Sequence, residues 1–127
     1  MRLKKKKTKK TASARVEDAR VSLKSSKILC KEIRGKKVKK TRILLEGLVS
    51  EKHSLGGKYY TKTAKKFLEV LKNAEANAKV REMDETKLFV ISAKADKGRT
   101  FIRPRSRMGR RGERAKMTHL EIILGEK

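Results

Sequence analysis

Between Lys97 and Lys116 the chain reads KGRTFIRPRSRMGRRGERAK, nine lysines and arginines against a single acid, Glu113. A segment like this cannot found a folded layer. It lacks the regularly spaced apolar residues with which a helix or strand buries one face, and its like charges repel. A connection of this length without a core pattern is usually functional or disordered. The sequences on either side have strand patterns, so residues 97–116 are expected to continue them outward as a long basic hairpin. Pro104, Gly109 and Gly112 would bracket its tip, where turn chemistry belongs. About ten residues per arm, at roughly 3.3 Å each, would reach about 30 Å.

The whole chain shares this bias. It has 38 Lys and Arg against 14 Asp and Glu, a formal charge of +24 over 127 residues. A compact body with that excess repels itself unless a polyanion neutralises it. RNA, DNA and an anionic membrane surface are the candidates. The membrane is the weakest, since no run of about 18 apolar residues occurs. Nor does an apolar segment follow the basic start, as a secretory signal would require. Cys30, the lone cysteine, cannot form an internal disulfide, which suits a reducing compartment and makes the cytoplasm the default. The 36% of hydrophobic residues suffices for one small core. One domain is therefore expected over 11–127, preceded by a basic tail, 1–10, that is disordered unless bound.

Within that domain the periodicities suggest three strands and three helices. Ala12, Ala14 and Val16, then Ala19 and Val21, alternate with polar residues and slip phase at Glu17 and Asp18. This predicts an edge strand over 11–21 with a bulge. Ser22 or Ser25 can cap a short helix through Ile28, Leu29 and Ile33, and Gly35 suits its left-handed end. A second helix is expected over 38–50, with Thr41, Leu44, Leu45, Leu48 and Val49 buried and Gly47 weakening its interior. Tyr60, Ala64, Phe67, Leu71, Ala74 and Ala78 recur at steps of three and four, with Leu68 widening the stripe. They mark a third helix, in which Ala74, Ala76 and Ala78 would allow close approach of another element. Strands follow over 88–96 and 117–124, the last with Thr118, Leu120, Ile122 and Leu124 on one face. The expected fold is α+β: a three-stranded antiparallel sheet packed with three helices on one face, extended by the long basic β-hairpin.

No residue set suggests catalysis or a metal. His53 and His119 have no further cysteine or histidine close enough in sequence for a cluster. Cys30 lies on the stripe of Leu29 and Ile33, a packing position. The glycines near Gly109 lack the context of a phosphate loop. Glu17, Asp18, Asp84 and Glu85 read as turn, cap or surface charges. Tyr59 remains open as a stacking residue. The chain therefore reads as a non-enzymatic polyanion binder without cofactor. The arm favours arginine, whose guanidinium binds phosphate oxygens in pairs and stacks on exposed bases. A nucleoid or chromatin DNA-binding protein, with the arm clamped in a minor groove, would need the same charge.

The choice of RNA comes from a resemblance. Ser22-Leu23-Lys24-Ser25-Ser26-Lys27, running into Ile33-Arg34-Gly35-Lys36-Lys37-Val38, resembles the opening of the universal large-subunit ribosomal protein family numbered twenty-two in bacteria and seventeen in many eukaryotes. Lys72-Asn73-Ala74-Glu75-Ala76-Asn77-Ala78 is similar to the end of that family's third helix. Arg103-Pro104-Arg105 with Gly109-Arg110, then Thr118-His119-Leu120-Glu121, resemble its hairpin tip and last strand. The match is colinear from about Val16 to Leu124. Gly57-Lys58-Tyr59 and His119-Leu120-Glu121 look most like archaeal or eukaryotic members. Leu23 stands where the family commonly has proline, and the tip has one extra residue.

The resemblance implies a structural protein of the large ribosomal subunit, located in the cytoplasm. Its partners would be large-subunit rRNA, neighbouring ribosomal proteins near the exit tunnel and, transiently, the nascent polypeptide. It implies that Lys24, Lys27, Arg34, Lys36 and Lys37 form a basic face. Arg99, Arg103, Arg105, Arg107, Arg110, Arg111, Arg114 and Lys116 would hold the arm to rRNA. Pro104, Arg105, Ser106, Arg107, Met108, Gly109 and Arg110 would face the tunnel.

Overall fold

The alternation in the first strand places Ala12 and Ala14 on a buried face, and the chain keeps that face through β1, Thr11–Ala19. A computed structural model of the chain, describing residues 10–104, 109 and 112–126, continues with α1 (Leu23–Ile33), α2 (Val38–Val49) and α3 (Thr61–Val80). Strands β2 (Leu88–Ile102) and β3 (Arg114–Glu126) complete it. The sheet is antiparallel in the order β1-β3-β2. The last strand in sequence is thus the central one, and the first lies at an edge, as its phase slip predicted. That slip is a register shift between Val16 and Ala19, with Asp18 at φ 51°.

Burial explains the layering. Thr118, Leu120, Ile122 and Leu124 of β3 alternate inward, as expected, and meet Phe67, Leu71 and Ala74 of α3 in one core that α1 and α2 also join. Buried hydroxyls in this core are satisfied: Ser26 donates to Ser22 O at 2.7 Å, Thr41 to Lys37 O at 3.1 Å and Thr118 to Val21 O at 2.9 Å. Burying them unpaired would cost a few kcal/mol each. Tyr60 adopts left-handed backbone (φ 48°) just ahead of α3 and packs partly buried against the core, so its place in the stripe holds although it precedes the helix.

Each sheet edge is clipped at its inner end, which blunts the open backbone that invites pairing with another chain. Along β1, Asn77 donates its side-chain amide to Ser13 O at 2.8 Å, and Arg81 one turn on donates to Thr11 O. Along β2, the α1–α2 turn exchanges hydrogen bonds with Val90: Gly35 N–H to Val90 O at 2.8 Å and Val90 N–H to Lys36 O at 2.9 Å. Gly35 permits this with φ 78°.

Two expectations change. Ala76 is exposed, so close approach in α3 rests on Ala74 and Ala78. Gly47 is a contact site as well as a weak point: a Cβ there would collide with the His53 ring, which lies over α2. Strand β2 runs on from the core segment 88–96 to Ile102, because β3 pairs with it beyond the core.

Candidate nucleic-acid interface

The basic face of α1 is produced by its cap and its period. Ser22 accepts from Ser25 N–H at 3.4 Å and starts the helix, after which Leu29, Cys30 and Ile33 turn inward. Lys24, Lys27 and Lys31, at steps of three and four, therefore turn outward in one exposed row. Arg34 ends the row, but one arm of its guanidinium already donates to Ala93 O at 2.9 Å. It pins the end of α1 to β2 and keeps its other donors for a ligand. Lys36 lies 3.6 Å from Glu32, both about half exposed. Such a surface pair contributes little and exchanges readily for a stronger anion. Lys37 is exposed at the start of α2. Of the five residues expected on the globule, Lys24, Lys27 and Lys37 are thus exposed, Lys36 is held by a surface pair, and Arg34 serves both fold and surface.

The arm begins where the core ends. Past Lys97↔Thr118 the β2–β3 ladder continues through Thr100↔Lys116, Phe101↔Ala115 and Ile102↔Arg114, and Arg103 N–H donates to Glu113 O at 2.8 Å. Arg99, Arg103, Pro104, Arg114 and Lys116 are all exposed along it, as is Gly109. Arg105, Ser106, Arg107, Met108, Arg110 and Arg111, like tail residues 1–9, lie outside the described residues. The described cations project from both faces of the ladder: Arg103 shares one with Phe101 and Ala115, and Arg114 and Lys116 share the other with Ile102, whose side chain is left exposed.

A clasp fixes the root of this arm. Two bulges, between Val16 and Ala19 in β1 and between Lys97 and Thr100 in β2, flank the central strand at the same level. Asp18 joins them, because its carboxylate accepts from Arg99 N–H at 2.9 Å while its own N–H donates to His119 Nδ1 at 3.1 Å. That second bond requires a bare Nδ1, so the 4.0 Å approach of the ring to the Asp18 carboxylate is not an ion pair in this arrangement. Gly98 is needed here. A Cβ on it would lie 2.9 Å from Asp18 Oδ1 and 3.0 Å from the Met117 backbone. The phase slip in the sequence signalled the bulge, but nothing local signalled the bond across to residue 99.

The structure also assembles a cleft that the sequence did not suggest. Arg20 and Ser22 at the β1–α1 junction, Lys62 in the first turn of α3, and Phe101, Arg103 and Lys116 of the arm line it, together with Arg114. Its described lining includes five cations and no acid. Thr118 anchors it: its hydroxyl bonds Val21 O, and Lys116 and Arg114 follow on the same face of β3 at alternate positions. Arg20 and Lys62 sit in unremarkable local sequence and join the arm only through the chain's return.

Other candidates have structural explanations. Cys30 is 4% exposed, and burial, partly offset by nearby Arg34, pushes its thiol up to about 11, so it packs rather than reacts. Asp84 accepts from Thr86 N–H at 3.0 Å and Thr86 Oγ1 at 2.7 Å, a local turn whose hydrogen bonds hold its carboxyl below the usual range. Glu85 meets Lys79 at 3.1 Å, and Arg42 pairs with Glu75 across α2 and α3. Tyr59 is 42% exposed and remains available for stacking.

Comparison with known proteins gives this arrangement a lineage. The large ribosomal subunit protein uL22 of Archaeoglobus fulgidus is 33% identical across 90% of this chain and 87% of its own length. That of Ignicoccus hospitalis is 33% identical across 92% and 89%, and that of Methanococcoides burtonii 31% across 91% and 89%. The family model for ribosomal protein L22p/L17e matches residues 14–125, from the inward-facing Ala14 of β1 to the end of the central strand. A capped α1 with a basic row, an α3 that clips the sheet edge and a cationic ladder between the last strands all fall within that match, and the chain belongs to the ribosomal protein L22p/L17e family.

Proposed function

We propose that this chain is a structural constituent of the large ribosomal subunit that binds large-subunit rRNA, supports subunit assembly and presents its hairpin tip to the nascent-polypeptide exit tunnel. The observation that carries the reading is the ladder beyond Lys97↔Thr118, a paired but coreless pair of strands whose described cations, Arg99, Arg103, Arg114 and Lys116, are all exposed. Phosphate neutralisation with counterion release supplies the affinity, and the shape of folded RNA supplies the fit. On this reading Lys24, Lys27, Arg34, Lys36 and Lys37 hold the globule to rRNA near the tunnel mouth, beside neighbouring ribosomal proteins. Arg105, Arg107, Arg110 and Arg111 extend the arm contacts. Pro104 to Arg110 face the tunnel and meet the nascent polypeptide transiently, on ribosomes of the cytoplasm.

The test replaces 99–116 by Asn-Gly, which joins Gly98 to Met117 and closes the shortened hairpin with a favoured turn, and expresses this form in cells alongside the full chain. The full chain should stay with the large subunit through a high-salt wash. The shortened form should wash off or fail to enter the subunit, and rRNA nucleotides protected by the arm should become reactive. Equal retention and equal protection by both forms would reject the reading.

A further inference from the structure

The cleft between arm and globule has a composition that phosphate binding alone does not explain. Its described lining holds five cations and no acid, together with Phe101, 48% exposed on the face of the ladder opposite Arg114 and Lys116, so the cleft takes in both faces of the arm. An aromatic ring left in water beside cations gains nothing from a duplex, which offers phosphates on its outside and keeps its bases stacked within. It gains most from a base that has left its stack, because every base has a π-face to lay on the ring while its neighbouring phosphates meet the cations. Phenylalanine has no hydrogen-bonding group with which to choose among bases, so such a site reads an extruded nucleotide rather than a sequence. Arg20 and Lys62 come from the globule, and Arg103, Arg114 and Lys116 from the arm. A strand entering the cleft is therefore held from both sides.

We propose that this cleft binds an unpaired RNA nucleotide, its base stacked on Phe101 and its flanking phosphates held by Arg20, Lys62 and the arm cations. The proposal rests on the RNA-binding reading above. It adds a defined site, outside the basic face of α1, and a preference for unpaired over paired RNA.

The experiment uses the full chain and two RNA probes: a blunt duplex, and the same duplex with a three-nucleotide bulge carrying 2-aminopurine. The native chain should bind the bulged RNA about tenfold more tightly, within the range that one base–aromatic stack gives, and should quench the 2-aminopurine. Phe101→Leu should abolish both the preference and the quenching and leave duplex affinity unchanged. Phe101→Tyr should restore both. Arg20→Gln with Lys62→Gln should lower the salt dependence of bulge binding by about two phosphate contacts' worth. A preference that survives Phe101→Leu would overturn the proposal, as would an unchanged salt dependence. Selective displacement of the bulged RNA by polyglutamate would overturn it in favour of an acidic polypeptide. In each of these failures the RNA-binding reading still stands if duplex binding persists; loss of all RNA binding by the native chain would instead reject that reading.

Discussion

The globule and the arm are made from the same two strands and obey different rules. In the inner half, Leu88, Val90, Ala93 and Ala95 of β2 and Thr118, Leu120, Ile122 and Leu124 of β3 are buried, the β2 alternation slipping once at a bulge, and the sheet is held by the apolar contacts of these residues with α3 and α1. Beyond that level the same ladder continues with the same hydrogen bonds, but Phe101 and Ile102 are 48% and 72% exposed and their neighbours are cations. Backbone pairing alone contributes little net free energy, since it replaces equally good bonds to water. The inner half is thus stabilised by burial, and the outer half is left to be stabilised by a partner. One β-ladder can belong to two cores, one of side chains and one of nucleic acid.

Substitutions can separate the two halves. Phe67→Ala, at a side chain with no exposure, should cost about 3–5 kcal/mol of folding stability, measured by urea denaturation. A smaller loss would mean that the core tolerates a cavity and that the contrast is overstated. Gly98→Ala, at the boundary, should cost about 1–3 kcal/mol, because the new Cβ meets Asp18 and the Met117 backbone. It should also re-aim the arm, seen as altered RNA protection by arm residues with α1 contacts unchanged. An unaltered footprint would show that the clasp does not set the arm's direction.

Cys30 gives a milder probe of the core. Its folded-state value, about 11, lies above the ordinary 9.0 because burial disfavours the thiolate. Its contribution is therefore fully present below pH 9 and is lost as pH rises toward 11. Stability of the native chain should fall through that window more than that of Cys30→Ser, and parallel curves would contradict the assignment. The smallest effect on folding should come from the arm. Changing Arg99, Arg103, Arg114 and Lys116 together to Gln should shift stability by no more than about 0.5 kcal/mol per site. The slope of log affinity for RNA against log salt should nevertheless become shallower by about three. A large loss of stability would mean that these cations serve the fold itself.

Much of this was legible beforehand, for identifiable reasons. The stripe from Ala64 to Ala78, the alternation of Thr118 to Leu124 and the phase slip at Glu17–Asp18 are local periodicities, and each became the expected helix face, strand face or bulge. Lys24, Lys27 and Lys37 were expected on a surface and are exposed on one. What remained hidden joins residues distant in the chain: the Asp18–Arg99 bond, the Asn77 clip on Ser13, His53 over Gly47, and Arg20 with Lys62 across from Phe101.

The sequence by itself determined the main buried stripes of the helices and of the last strand, the order of the elements, and that the charge excess demands a polyanion. These follow from side-chain period and composition, which need no knowledge of the return path. Only the tertiary structure decided that the last strand is central, that two bulges meet at Asp18, and that globule and arm enclose a shared cationic cleft around Phe101. Such facts depend on which long-range pairing buries the most apolar surface at once, a property of the whole chain that no local window contains.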